Sequence, residues 1–574
     1  MQRIPKHLKK YIVPQDYSLY TYIDHSTWKF IMKISKKFFS KNAHRMYLKG
    51  LDSTGITIDK IPKIDTINKK LKKFGWQAVC VRGFIPPNAF MEFQSLKILP
   101  IAADMRSHKH LTYTPSPDIV HEAAGHAPII ANQDYSRYLI SYGEIASKAI
   151  MSSEDMNLYY AIRNLSDIKE KPNATKKEIG QYELELNKAY KNISYLSESA
   201  MLSRMNWWTV EYGLVGEMNN PKIYGAGLLS SVAESENCLD NKIKKIPLSL
   251  NCINYSYDIT EQQPQLFVTP DFKYLTRTLK KLSEKMSYKI GGEKGLINGI
   301  KAKTLCTIEI DKKIQISGII DSYVNYKKSI AFIKSSGPTQ LCYKNQEIKR
   351  HNKNYHNHGY STPIGKIKRF NKDISKLSNK ELNEIGIIKN KNAKLIFKSG
   401  ITVSGLIARI IKKESKIILI TFKNCTVKKK NMILFKPEWG NYDMICGTSI
   451  NSVYGGPCDK KNYYLEDNRN DKYNKYNTPK LSNKNNNLNA LHKKIHNLNK
   501  NRYSYTKLEQ VYLEAKEKFS KEWLIFYEIL EISASKCSQA YWVKEILNKL
   551  NKKINLDNDL SHAIKRGLDL IKFH

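Results

Sequence analysis

The hydrophobic pattern changes period near residue 300, and no single core layout satisfies both halves of the chain. Between about 14 and 290 apolar residues recur at helical spacing, as in Trp28, Phe30, Ile31, Ile34, Phe38 and Phe39. From about 300 to 460 the texture becomes short β-branched runs broken by Gly, Asn and Lys, which predicts strands and turns. Ile316-Ser317-Gly318-Ile319-Ile320 is echoed by Val403-Ser404-Gly405-Leu406-Ile407, and the run starting at Ser329 by the run starting at Lys416, both 87 residues later. Two copies of one small β unit are expected. After Tyr505 helical spacing returns, with Leu508, Val511, Ala515, Phe519, Trp523, Phe526, Tyr527 and Leu530 on one face, ready to pack against the chain or a partner.

The predicted fold class is multidomain α+β: a mainly α-helical domain over 1–290, a β-rich module with a duplicated unit over 300–465, a polar linker over 468–503 and a helical C-terminal segment over 504–574. Residues 151–200 read as a polar helical hairpin inserted into the first domain. Arg350 to Lys380 and Asn468 to Tyr503 are poor in aliphatic residues and read as mobile linkers.

A chain of 574 residues has room for three to four domains. Its net charge of +42 comes from 95 Lys+Arg against 53 Asp+Glu. The excess is spread over apparent helices, strands and linkers alike, as AT-rich coding would give, so no nucleic-acid partner is expected. Nine cysteines without a C-x-x-C pair argue against both a disulfide framework and a Cys-based zinc site. The start of the chain lacks an apolar signal region, and runs such as Ile417 to Phe422 are too short to span a bilayer. A cytoplasmic protein with no membrane partner is expected.

Chemistry concentrates in Pro117-Asp118-Ile119-Val120-His121-Glu122-Ala123-Ala124-Gly125-His126-Ala127-Pro128. Metalloprotease helices place two histidines four apart on one face. Here they are five apart, about 140° around an ideal α-helix. Gly125 and Pro128 are expected to break the helix so that His126 turns inward; two satisfied polar histidines are the alternative. Glu211 lies in the apolar run Trp207-Trp208-Thr209-Val210-Glu211, where an ionised carboxylate is costly unless paired or bound to metal. A helix residue facing water is the other reading of it. Two His and one carboxylate are the ligand set of non-haem Fe(II) oxygenases. A second histidine group, His351, His356 and His358, falls in a polar stretch and reads as solvated.

Four stretches together resemble the pterin-dependent aromatic amino acid hydroxylases: Tyr113 to Asp118, His121 to His126, Trp207 to Gly213 and Tyr224 to Ser231. The resemblance covers about residues 10 to 290, looks like a long bacterial form with a C-terminal extension, and implies a phenylalanine 4-hydroxylase-like monooxygenase. It implies Fe(II) on His121, His126 and Glu211, with no catalytic residues beyond the iron site. By the same resemblance Arg106, Thr114, Pro117, Trp207 and Ser230 bind the amino acid, Arg106 as a bidentate fork on its carboxylate. Gly83, Ile85, Phe90 and Glu122 meet a tetrahydrobiopterin or another tetrahydropterin. The implied reaction converts L-phenylalanine to L-tyrosine with O2, with tryptophan or tyrosine hydroxylation, or an added binding role of the basic C-terminal half, as alternatives. Pterin-recycling enzymes are the implied functional partners. Asn206 departs from the family, which has an aromatic residue beside Trp207. With the resemblance starting so near residue 14, no regulatory domain is expected ahead of it.

Overall fold

The computed structural model describes residues 4–83, 85–108, 111, 117–169, 174–259, 261–464, 483–500, 504–556 and 558–573. The apolar run that opens the chain forms one helix, Tyr22–Asn42, whose first turn is closed by a capping box between Thr21 and Asp24. More than one of its faces is buried, and this shapes the whole molecule. On one side Trp28 donates its indole N–H to the Thr57 carbonyl inside the first domain. On another, Phe30 meets Trp523 and Tyr527 edge-on, with ring centroids 4.9 and 4.8 Å apart.

The rest of the first domain wraps helices around two small sheets. Gln77–Val81 and Ile98–Ala102 pair in parallel across the connecting helix Pro87–Ser95. A mixed sheet sets Lys222–Ile223, Leu214–Val215, Gln265–Thr269 and Lys244–Pro247 side by side in that order. The inserted hairpin is present as Ser153–Lys169 and Lys176–Lys191, and the second helix buries no residue, in keeping with its polarity.

The β-rich region consists of two antiparallel sheets. In the first, Leu305–Ile310, Ile314–Tyr326, Ser329–Tyr343 and Gln346–Glu347 follow in chain order, Gly359–Pro363 pairs with Ser329–Tyr343, and Ile450–Gly455 joins the Leu305–Ile310 edge. The second runs Asn392–Ile396, Ile401–Lys413, Lys416–Lys429 and Met432–Phe435, with Tyr442–Ile445 paired to Lys416–Lys429. Strands starting at 305, 314 and 329 recur at 392, 401 and 416.

Two expectations of mobility are corrected. Within Arg350 to Lys380 the chain is packed: His351 and His356 are buried, Gly359–Pro363 is a strand, and Tyr360, Ile364, Ile367 and Ile374 are core residues. Single apolar anchors at irregular spacing suffice there because the neighbouring strand takes the loop's polar backbone, Leu341 N–H bonding the His351 carbonyl and Thr339 N–H that of His356. Within 468–503, residues 483–500 form a helix that buries Leu488, Leu491, Ile495 and Leu498. Their three-to-four spacing is helical, but Asn and Lys on the remaining faces hide it in the composition. Residues 468–482 and 501–503 lie outside the described residues.

The separation of 1–290 from 504–574 also needs correction, because the two share one core. Helices Asn483–Lys500, Tyr505–Lys518, Trp523–Lys536, Tyr541–Leu556 and Asn558–Leu568 pack into the same apolar cluster as Trp28, Phe30 and Ile31. Polar ties reinforce the seam. Arg566 donates to the carbonyls of Val232 (2.7 Å) and Ile34 (3.1 Å), and His108 pairs with Glu522 at 2.8 Å. All nine cysteines are free thiols, and no described helix is long and apolar enough to cross a membrane.

A chain ending at residue 464 would strip this cover. Each large apolar side chain returned to water costs about 1.5–3 kcal/mol, and a domain's whole stability is about 5–15 kcal/mol. We expect such a chain to lose its cooperative thermal transition and to aggregate. A soluble product with an unchanged melting temperature would refute the shared core.

Candidate metal centre

His121 and His126 come together by a change of helix type. Val120–His126 is π-helical, so its backbone bonds run from i to i+5 and residues five apart stack one turn above the other. The helix widens where a break was expected, and Pro128 sits in the first turn of the next helix, Ala127–Ile130. A second π-helical turn, Trp207–Glu211, carries the carboxylate. The short helix Ala226–Ser230 presses on both turns. A Cβ on Gly125 would lie 2.7 Å from the Ala226 carbonyl oxygen, and one on Gly225 would lie 2.4 Å from that of Glu211, so only glycine allows the approach.

The result is a tight cluster in which His126 is buried and His121 and Glu211 are half-buried. His121 Nε2 and His126 Nε2 are 3.2 Å apart, and the Glu211 carboxylate lies 3.4 Å from the first and 3.5 Å from the second. Three ligand atoms around one cation at about 2.1 Å are separated by about 3.0–3.5 Å, so the donor set fits a divalent ion. Ser230 sets the tautomer of His121. Its hydroxyl donates to the Ala226 carbonyl (2.8 Å) and so accepts from His121 Nδ1–H (3.0 Å), which leaves Nε2 with its lone pair facing the cluster.

Burial sets the charge state. It pushes the His121 imidazolium down to about 3 and holds His126 well below its ordinary range, so both rings are neutral at pH 7 and their nitrogens are free to act as donors to a metal. The Glu211 carboxyl is pushed up to about 8 by burial, against hydrogen bonds from the Asn206 side chain and the Gly227 N–H. Glu122 is raised well above its usual value by burial, then by the negative charges of Glu211 and Asp118. Its Oε2 is buried with no hydrogen-bond partner and lies 3.9 Å from His126 Nε2.

Arg106 is deeply buried, and its fork is engaged. Nε and Nη2 donate to the two carboxylate oxygens of Asp118 at 2.7 and 2.8 Å, and Nη1 donates to the carbonyls of Ser230 (3.0 Å) and Leu111 (3.5 Å). The bidentate fork expected for a substrate carboxylate is therefore closed on Asp118, because a buried guanidinium needs a buried counter-charge. Of its five N–H groups, one on Nη2 is taken by no bond among the described residues. Asp118 also accepts from His121 N–H at 3.0 Å and so holds the start of the π-helical turn.

Of the other expected amino acid contacts, Pro117 is half-buried directly ahead of Asp118, and Thr114 lies outside the described residues. Ser230 is turned to His121. Trp207 stacks on Tyr212 and Tyr257, with centroids 4.5 and 4.4 Å apart, and donates to Gln263. On the pterin side, Gly83 has a positive φ of 56°, and its N–H donates to Asp104, whose carbonyl accepts from Ile119 N–H just before the π-helical turn. Half-buried Ile85 and Phe90 flank the start of helix Pro87–Ser95. Sequence reasoning missed Asp104, Tyr257 and Gln263, which carry no local signal. Asn206 registered only as a departure from the family, whereas in the fold it bonds Glu211.

Two outcomes follow from this geometry. With neutral imidazoles and a carboxyl protonated below about 8, each bound cation displaces one proton from Glu211. Fe(II) affinity, measured anaerobically against a competing chelator, should fall about tenfold per pH unit from 8 towards 5 and level off above 8; a flat profile from 6 to 8 would exclude Glu211 as the titrating ligand. Arg106→Ala strands Asp118 as a buried unpaired charge, so denaturant melts should show a loss of about 3–5 kcal/mol. Unchanged stability with lost turnover would restrict Arg106 to substrate binding.

A family model described as biopterin-dependent aromatic amino acid hydroxylase matches residues 10–158 and 196–291, leaving out most of the helical hairpin. Among curated relatives, phenylalanine-4-hydroxylase of Chromobacterium violaceum is 28% identical over 268 residues, spanning 46% of this chain and 75% of the relative. That of Pseudomonas aeruginosa is 28% identical over 258 residues, spanning 45% and 81%. Among solved structures, the iron- and phenylalanine-bound phenylalanine hydroxylase of C. violaceum is 27% identical, covering 48% of this chain and 87% of that one, with a TM-score of 0.37.

Proposed function

Since residues 10–158 and 196–291 belong to the biopterin-dependent aromatic amino acid hydroxylases, we propose that this enzyme hydroxylates the ring of free L-phenylalanine to give L-tyrosine, using Fe(II), a tetrahydropterin and O2. The observation that carries the reading is the convergence of His121 Nε2, His126 Nε2 and the Glu211 carboxylate within hydrogen-bonding distance of one another, inside the matched region. Relatives that act on phenylalanine favour that substrate over tryptophan or tyrosine.

His121, His126 and Glu211 would hold Fe(II), a donor set that suits the metal of non-haem oxygenases. When bound, the iron with the reduced pterin supplies the activation of O2. Everything else falls to this chain's side chains. Ser230 keeps His121 in the ligating tautomer, and Asn206 with the Gly227 N–H steadies the Glu211 carboxylate. Glu122, whose carboxyl is raised well above its usual range by burial and then by the charges of Glu211 and Asp118, is assigned to meet a pterin or an intervening water. The Trp207, Tyr212 and Tyr257 stack walls the site and excludes water from a substrate ring. Arg106 offers a carboxylate the N–H on Nη2 that has no partner among the described residues, with its orientation locked by Asp118. The loop from Gly83 through Ile85 to Phe90 is assigned to the pterin.

In domain terms, residues 1–290 together with the helices from Asn483 onward make one catalytic body, and 300–465 is a β module of two copies of one unit, supported by matching strand order and the 87-residue offset. Nine free cysteines, seven of them buried, favour a reducing compartment, the cytosol. A pterin consumed in each turnover calls for a pterin-reducing enzyme as functional partner.

Purified full-length protein with Fe(II), tetrahydrobiopterin and each of the three aromatic amino acids tests the reading: tyrosine should form from phenylalanine fastest. His121→Ala, His126→Ala and Glu211→Ala should each strip the iron and abolish turnover, whereas Glu122→Gln should keep iron and impair pterin use. Full iron content with normal turnover in any of the first three would overturn the assignment.

A further inference from the structure

We propose that the seam between the two β sheets is a second metal site, in which His351, His356 and Asp443 bind a divalent cation of the zinc class. Neither the family resemblance nor the proposed reaction involves these residues. His351 Nδ1 and His356 Nε2 are 3.2 Å apart, Asp443 Oδ2 is 3.9 Å from His351 Nδ1, and one ligand atom from each of the three lies within 4.8 Å of the others. Tetrahedral zinc with nitrogen and oxygen ligands at about 2.0–2.2 Å spaces them by about 3.3–3.5 Å, so a small inward shift of the carboxylate completes the set.

The site is built rather than incidental. Although the surrounding sequence is polar, His351, His356 and Asp443 are buried, and only His358 of the histidine group faces water. The two histidine carbonyls are pinned to strand Ser329–Tyr343 by Leu341 and Thr339 N–H, which fixes the loop that presents both rings. Asp443 is held from the other side: Thr421 Oγ1 donates to its Oδ1 at 2.6 Å, which leaves Oδ2 turned towards His351. Two imidazoles thus come from the first sheet's loop and one carboxylate from a strand of the second. Burial favours the neutral, ligating form of both rings. Tyr355 also bonds Asp443, and Arg409, the nearby cation, is exposed and screened by water.

Imidazole–imidazole–carboxylate is a borderline donor set that suits zinc better than calcium or magnesium. A cation here would staple one β unit to the other, and its binding free energy would add to the stability of the seam. One hydrogen bond between the two rings, with no metal, is the competing account.

Zinc content decides between them. Full-length protein loaded with Zn2+ and desalted should hold two equivalents by plasma mass spectrometry, and protein carrying His121→Ala with His126→Ala should hold one, with a Kd below about 1 µM. Asp443→Asn keeps the shape and the acceptor for Thr421 but removes the charge; it should lower the wild-type count to one and weaken the second site by about 100-fold. His356→Ala should do the same, and Co2+ in place of Zn2+ should lose its tetrahedral absorption bands in both variants. Thermal melts report whether each variant is folded, and the wild-type count stands on its own if the first-centre variant is not. The proposal is overturned if wild type holds no zinc beyond one equivalent, or if the second equivalent survives both Asp443→Asn and His356→Ala in folded protein.

Discussion

Among the described residues the Asp118 carboxylate accepts four hydrogen bonds, from the backbone N–H, Nε and Nη2 of Arg106 and from the backbone N–H of His121. Arg106 in turn reaches the Ser230 carbonyl, and the Ser230 hydroxyl meets the Nδ1 of His121. The circuit closes on His121 by two routes, one through its backbone and one through its imidazole. In a buried setting such a network is strong when complete and costly when one member is missing. The network ties the start of the first π-helical turn to helix Ala226–Ser230 and fixes the orientation of His121.

The later half of the chain braces that circuit. Glu522 pairs with His108, two residues beyond Arg106, and Arg566 bonds the Val232 carbonyl, two residues beyond Ser230. The helices carrying these residues are seated by Phe30, Trp523 and Tyr527, so a helix near the start of the chain and two near its end form one support. The β module attaches elsewhere, Gly455 N–H bonding the Lys148 carbonyl and Thr304 Oγ1 the Met151 carbonyl. The region matched by the family model, 10–158 and 196–291, therefore packs against segments that the match leaves out.

Much of this was legible in advance. Period-3.6 and period-2 patterns separated the helical and β regions, and the inserted hairpin was visible in the spacing around 151–200. Composition misled in two places. Asn and Lys on the exposed faces of helix 483–500 masked four buried aliphatic positions, and scattered anchors in 350–380 gave no period at all although their backbone was fixed by a neighbouring strand. Spacing misled once: five residues separate His121 from His126, a poor fit to an α-helix and a natural one to a π-helical turn.

Residue order with the family resemblance was enough to bring His121, His126 and Glu211 forward as candidates, and the fold sets their donor atoms 3.2–3.5 Å apart. Residue order could not say which groups would neutralise Arg106, orient His121 or steady Glu211. Those partners, Asp118, Ser230 and Asn206, are decided by which buried charge or N–H has no other acceptor once the chain is folded. The same holds for His351 and His356, which look solvated in the linear sequence, and for Asp443, which carries no signal there; they come together because the first sheet's loop and a strand of the second bury them side by side.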